Sequence, residues 1–163
     1  MNIENHRQLL SSLVIPSVSL GYTTVKIYTA EELQEAQIGY SVDPSGKSLI
    51  DENDEGSWKK EWLVIGYEDL CGDPIFIDTA SEGGPVYIAG HGEGDWRPKR
   101  IATTLKGFAE AMNDAAKIAT GQETPIELEA NPIGAEGKAD FIARLQRDNP
   151  EMGLEFWELW IEA

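Results

Sequence analysis

The sequence predicts one α+β domain, in which a twisted, mainly antiparallel sheet has helices packed around it. Its length of 163 residues suits a single domain. Short apolar runs between residues 62 and 88 are separated by turns rich in Gly, Asp and Pro, which is typical of an antiparallel meander. The segments on either side of this meander carry apolar residues at helical spacing.

The first 60 residues are predicted to form two helices, a strand and a loop. Apolar residues within 1–15 recur at a loose helical spacing that a proline ends. Residues 20–28 are rich in strand formers. Thr29 is a residue type that caps helices, and with the acids after it predicts a short helix to about Gln37. Residues 43–57 are polar and are predicted to form a loop.

The middle of the chain supplies the predicted sheet. Strands are expected at 62–66, 75–78 and 86–88, with short turns at 68–73 and 81–85. Residues 91–96 are rich in glycine and are predicted to form a loop. A long helix is predicted over 101–119, with Leu105, Phe108 and Met112 on one face and Gly121 after its end.

The last forty residues are predicted to hold a short strand and two more helices. The strand is expected at 124–131 and the first helix at 135–148. A final helix is predicted to begin with Asn149 as its N-cap and Pro150 in its first position. On that helix four acids recur every three or four residues as one narrow stripe: Glu151, Glu155, Glu158 and Glu162.

Charge restricts the classes of partner. The chain has 29 Asp and Glu against 13 Lys and Arg, a net charge of −16, where a small domain typically carries a magnitude of about 2–8. Such a charge opposes binding to a nucleic acid backbone or an anionic membrane and favours a basic protein. We therefore expect a protein partner, no direct nucleic acid or membrane binding, and a monomer or weak dimer.

Cysteine and histidine content argues against catalysis. Cys71 is the single cysteine, and the N-terminus lacks a secretory signal pattern, so a cytoplasmic protein is expected. His91 with Glu93 and Asp95 could hold a metal or transfer protons, but it has no second His at ligand spacing and no paired Cys. We predict a protein without catalytic activity, cofactor or metal, and keep this His91 site as a weaker alternative.

Three segments within 22–115 resemble the SUKH superfamily, which includes yeast cell-wall regulators of the Smi/Knr type and many bacterial immunity proteins. They are the strand pair 62–78, with its Gly, Gly-Asp and Asp motif, the strand 84–88 with the His after it, and the start of the helix at 101–112. Residues 22–120 would then be the core and 121–163 a divergent helical extension. The matching motif residues are Trp62, Gly66, Gly72, Asp73, Asp78, Tyr87, Ala102 and Phe108.

The resemblance implies an α+β fold without catalytic residues. Gly66 and Gly72 would shape turns, while Asp73 and Asp78 would cap backbone groups. It also implies an immunity-type protein that neutralises a toxin domain, of the nuclease or deaminase class, which would tend to be basic. A regulatory scaffold with an endogenous partner is the alternative. The predicted partner-binding residues are Asp51, Glu52, Asp54, Glu55, Trp58, Glu68, Asp69, Glu93, Asp95, Trp96, Glu151, Glu155, Glu158 and Glu162.

Overall fold

The computed structural model describes residues 3–90, 94–150 and 152–162. Within these residues, six strands form one antiparallel sheet in which every strand lies beside its neighbour in the chain. This confirms the predicted α+β class and the meander. The strands are β1 Val18–Leu20, β2 Thr23–Ile27, β3 Trp62–Glu68, β4 Pro74–Asp78, β5 Val86–Gly90 and β6 Arg97–Ala102.

One helix precedes the six strands in the sequence, and the other helices follow them. The part of the chain described here has α1 Ile3–Ser12, α2 Leu105–Ala119, α3 Pro125–Ala130, α4 Ala135–Asp148 and α5 Glu155–Glu162, with a 3₁₀ turn at Glu35–Gln37. Among these helices, none is both long and apolar enough to cross a membrane.

One face of the sheet packs against the helices. Strand residues such as Ile75 and Ile101 meet Phe108 of α2, Phe141 of α4 and Trp157 of α5 in one aliphatic and aromatic core, which we call the helix-face core. Residues 121–163, which were expected to form an extension, therefore supply part of the same core as the sheet. This is why the last quarter of the chain folds onto the strands.

The opposite face of the sheet is covered by the segment between β2 and β3. Trp58 from this segment is buried among rings that project from the strands and from the covering loops. We call this the aromatic cluster, and its members include Tyr28, Tyr40, Trp58, Trp62, Phe76, Tyr87 and Trp96. Ring pairs within it are tilted, edge-on or stacked at centroid distances of 4.7–5.8 Å, as aromatic contacts prefer.

Two predicted elements in the first third of the chain were wrong in detail. The strand expected over 20–28 is a hairpin, because Gly21 adopts a positive φ of 56° and turns the chain between β1 and β2. The helix expected from Thr29 is reduced to turns and the short 3₁₀ segment. Gly39, at φ 90°, reverses the chain two residues after Gln37, and so short an isolated helix is marginal.

Two further corrections concern β6 and the residues that follow. Residues 101–102 were expected to open the long helix, but Ile101 and Ala102 end β6, and the helix begins at Leu105 after the N-cap Thr104. Exposed Arg, Pro and Lys residues conceal this strand from a search for apolar patterns, although they are common on edge strands.

The C-terminal elements also depart from prediction. The strand expected over 124–131 is the short helix α3, which Thr124 and Glu127 begin with a reciprocal capping box. Asn149 was expected to start the last helix. Instead it ends α4, and its buried side-chain oxygen accepts a hydrogen bond of 3.1 Å from the Thr103 N–H. The last helix therefore begins at Glu155.

The glycine and aspartate motif positions have distinct structural roles. Gly72, at φ 76°, and Asp78, which accepts bonds from the Ala80 N–H and the Ser81 hydroxyl, do shape turns. Gly66 was expected in a turn, but it lies within β3, where a β-carbon would collide with the carbonyl oxygen of Lys26 on β2. Gly66 therefore permits the close approach of these two strands.

Candidate partner-binding site

An open cavity of about 720 Å³ lies between α5 and one end of the sheet. We call it the α5 trough. Ile88 of β5 and two α5 residues, Phe156 and Trp160, give it an apolar lining. The turn between β3 and β4 forms one side, and residues at the start of β6 form the other. The trough thus presents apolar surface on the same side of the sheet as the helix-face core.

Two indole hydrogen bonds fix α5 in place. Trp157 is buried, and its Nε1–H donates to the Ile101 carbonyl at 2.8 Å. Trp160 Nε1–H donates to the Thr23 carbonyl on β2 at 3.3 Å. At the first turn of the helix, Glu155 accepts from Lys99 of β6 at 2.9 Å, in an exposed ion pair. These contacts hold α5 against β2 and the edge strand β6.

Two leucines at the trough are exposed. Leu70, in the β3–β4 turn, has 69% of its surface accessible, and Leu159 of α5 has 65%. The other large exposed apolar side chains in the described ranges are Val14, Tyr22, Ile38, Leu49 and Ile126, and none of these lines the same cavity. The apolar lining of the trough therefore includes two largely exposed leucines.

Acidic side chains build the turn that presents Leu70. Glu68 is 8% exposed, and its carboxylate accepts from the backbone N–H groups of Leu70 and Cys71 at 3.0 and 2.8 Å. Asp69 accepts from the Thr24 N–H at 2.6 Å. Glu68, a predicted partner-binding residue, lines the trough, but its carboxylate is engaged in building the turn, and its contact with a partner stays a prediction. Asp69 remains exposed, but it also fixes the turn to β2.

Acidic surroundings also act on Cys71, which is exposed at the trough. The negative charge of Glu68 raises the pKa of the thiol, and partial burial and Asp73 raise it further. A raised pKa disfavours the thiolate, which is the reactive form. Cys71 is therefore poorly suited to nucleophilic chemistry.

The two tryptophans among the predicted partner-binding residues, Trp58 and Trp96, differ in solvent exposure. Trp58 is 1% exposed in the centre of the aromatic cluster, so the prediction that it contacts a partner was wrong. Trp96 is half-buried and packs edge-on against Trp58 at a centroid distance of 5.0 Å. It keeps part of its surface available. Of the motif residues, Trp62 and Tyr87 join the same cluster, whereas Phe108 and Ala102 join the helix-face core.

The acidic loop 51–55 lies beside the loop that carries Asp95. Its four acids are exposed, and Glu52 pairs with Lys60 at 3.6 Å. The Trp96 N–H donates to the Gly56 carbonyl at 2.9 Å, and a β-carbon at Gly56 would collide with the carboxylate of Asp95. Asp95 lines the trough, so Gly56, which follows this acidic loop, lies against a residue of the trough. The predicted acids Asp51, Glu52, Asp54 and Glu55 do not themselves line it.

The predicted acidic stripe on the last helix is divided between two surfaces. Glu155 faces the trough, whereas Glu158 and Glu162 border a separate hollow between α5 and α4. All three side chains are exposed. Glu151 lies outside the described residues, so its place in the stripe stays a prediction.

Only one residue of the alternative catalytic site lies within the described residues. His91 and Glu93 lie outside the described residues, while Asp95 is exposed at the trough. Elsewhere in the chain as described, no group of three His, Cys, Asp or Glu side chains could hold a metal ion. Leu70 and Leu159 were not among the predicted site residues, because an apolar residue in a turn or a helix carries no sign in the sequence that it is exposed.

No family model matches the sequence, and the searches of curated proteins and of solved structures also found no match. The resemblance to the SUKH superfamily therefore stays a prediction.

Proposed function

We propose that this protein binds a basic protein through the α5 trough and the acids around it, and thereby neutralises a toxin domain of the nuclease or deaminase class. The observation that carries this proposal is the open, apolar trough whose lining includes the exposed Leu70 and Leu159. Exposed contiguous apolar surface of this kind is typical of protein-interaction sites. The resemblance to immunity proteins supplies the choice of partner.

Charge supports the choice of a basic partner. The net charge of −16 draws a cationic protein towards the whole molecule and accelerates encounter. Asp73, Asp95 and Glu155 line the trough, and the exposed Asp69 lies in the turn that carries Leu70. A stable interface buries about 800 Å² on each partner, which is about a tenth of the accessible surface of 8943 Å² described here.

Co-expression tests the neutralising function directly. The C-terminal domain encoded beside this gene would be expressed in a host cell with and without this protein, and surviving colonies would be counted. We expect the wild-type protein to restore survival. A toxic domain that it fails to neutralise would contradict the proposal, and a harmless neighbour would favour the scaffold alternative.

Paired variants then locate the surface. Leu70→Gln/Leu159→Gln removes apolar surface without changing the charge, and Ile126→Gln is a matched control because Ile126 is 79% exposed on α3, away from the trough. We expect the double variant to reduce survival and the control to leave it unchanged. The association rate with the purified toxin should also fall as salt rises from about 50 to about 500 mM, and a flat response would contradict charge steering.

A further inference from the structure

We infer that the α5 trough receives one face of an amphipathic, basic α-helix of the partner. This inference rests on the proposed function, because it names the element of the partner that the same site would bind. Three features of the trough support it: its backbone, its two exposed leucines and its charge.

Most backbone N–H and C=O groups around the trough are already paired, so few remain to bind an extended peptide. In the meander, β3, β4 and β5 each have a hydrogen-bonded neighbour on both sides, and α5 bonds its own backbone internally. At the trough, strand addition is open only along the outer edge of β6, whose Arg97 and Lys99 line the trough. A guest that lies over β3, β4 and β5 cannot add to the sheet. Because buried peptide groups need partners, a guest that buries its backbone here must satisfy them itself, as a helix does.

The apolar surface fits a helix better than a small molecule. The volume of about 720 Å³ is within the range of about 300–1,000 Å³ that holds drug-sized ligands. However, the cavity is open, and Leu70 and Leu159 in its lining are 69% and 65% exposed, whereas drug-sized ligands usually bind in sites that bury most of their surface. A helix with apolar residues three and four positions apart can fill the trough and also contact both leucines.

Charge distinguishes a basic helix from a second copy of this chain. Asp73, Asp95 and Glu155 line the trough with Arg97 and Lys99, and Lys99 is paired with Glu155. Two chains that each carry −16 repel one another. A guest helix with Lys or Arg beside its apolar face is attracted instead, so the trough favours a basic partner.

Designed peptides test this mode of binding. The probe is a fluorescein-labelled 18-residue peptide of Leu and Lys, with every Leu on one helical face. A second peptide has the same composition with Leu and Lys in strand-like alternation, and a third replaces each Lys with Glu. Fluorescence anisotropy with the full chain should show at least tenfold tighter binding of the helical Lys peptide than of either other peptide.

Variants of the full chain place the peptide in the trough. Leu70→Gln/Leu159→Gln should weaken binding of the helical Lys peptide at least tenfold, while Ile126→Gln should change it less than twofold. Equal binding of the alternating peptide, equal binding of the Glu peptide or unchanged affinity in the double variant would each overturn the inference. So would a dimer of the wild-type chain that the double variant dissociates, or a small apolar dye that occupies the trough without competing with the peptide.

The two proposals can fail separately. Peptide binding that follows the predicted pattern, with no rescue from the toxin, would contradict the proposed function and leave the helix-binding trough in place. Rescue that survives in Leu70→Gln/Leu159→Gln would overturn the trough inference and leave the neutralising function in place.

Discussion

The two faces of the sheet are covered in different ways. Helices cover one face through an aliphatic core with Phe108, Phe141 and Trp157. The segment between β2 and β3 covers the other face and inserts Trp58 into the aromatic cluster. The helix-covered side leaves the α5 trough open at one end of the sheet, whereas the loop-covered side has rings in mutual contact across β3, β4 and β5.

This difference follows from the shapes of the covering elements. An irregular segment can follow the sheet closely, and flat rings fill gaps by tilting against one another. A helix is a rod about 10 Å wide, and α5 has only eight residues. Where this short rod crosses the end of the sheet, the space beside it remains unfilled. The covering that packs less completely therefore provides the candidate binding site.

The largest expected effect comes from removing a buried indole. Trp157→Ala on the helix-covered face should lower the free energy of unfolding by about 3–5 kcal/mol, because it leaves a cavity and an unpaired Ile101 carbonyl. Trp58→Ala on the other face should cost about as much. Urea denaturation measures both losses.

Leu159→Ala is the control on the same helix, and it should change stability by less than about 0.5 kcal/mol because Leu159 is exposed. A large loss here would show that Leu159 belongs to the core and not to a binding surface.

A smaller loss of stability is expected where the segment between β2 and β3 joins the sheet. The Gln37 side chain donates to the carbonyl of Val64 at 2.9 Å and accepts from its N–H at 3.0 Å, as a neighbouring strand would. Gln37→Ala leaves both buried groups without this partner and should cost about 2–3 kcal/mol in a urea titration. The exposed Gln34→Ala is the control, and equal losses in both variants would contradict this role of Gln37.

The smallest expected effect is a loss of folding stability at alkaline pH. Burial raises the pKa of Tyr40 and of Tyr28 on the loop-covered face, with further contributions from nearby groups. The folded state therefore favours the neutral phenols. This contribution to stability is complete below the unfolded pKa of about 10 and is lost as pH rises through the folded pKa.

Urea titrations at about pH 9 and about pH 11 measure this loss. Tyr40→Phe should lose less stability between them than the wild type does. The comparison variant is Tyr22→Phe, since a hydrogen bond to Glu129 raises the pKa of that exposed tyrosine. If Tyr22→Phe abolished the loss and Tyr40→Phe did not, the alkaline sensitivity would belong to the helix-covered side.

Prediction from the sequence succeeded where one local pattern determined the element. Strands β3 to β5 are continuous apolar runs between turn residues, and α2 and α4 have clear helical spacing. Prediction failed at β6, whose exposed residues are charged, and at Asn149, whose type suits either end of a helix. In both places, contacts with distant residues decided the outcome.

In the candidate site, too, some features could be predicted from local sequence and others depended on tertiary contacts. The acids of the loop 51–55 were correctly expected at the surface, because four charges in a polar segment are costly to bury. Glu68 has the same charge, but three backbone N–H groups in its own turn make its burial favourable. The identity of an acidic residue therefore does not establish whether it faces a partner or supports a turn.

The sequence by itself determined the α+β class, the order of the central strands and the strong negative charge. These properties depend on composition and on short-range periodicity, which act along the chain. Tertiary structure alone decided that Trp58 is buried, that Leu70 and Leu159 are exposed and that a trough lies between them. The physical reason is that exposure depends on what packs against a residue, and here the neighbours come from strands and helices far apart in the chain.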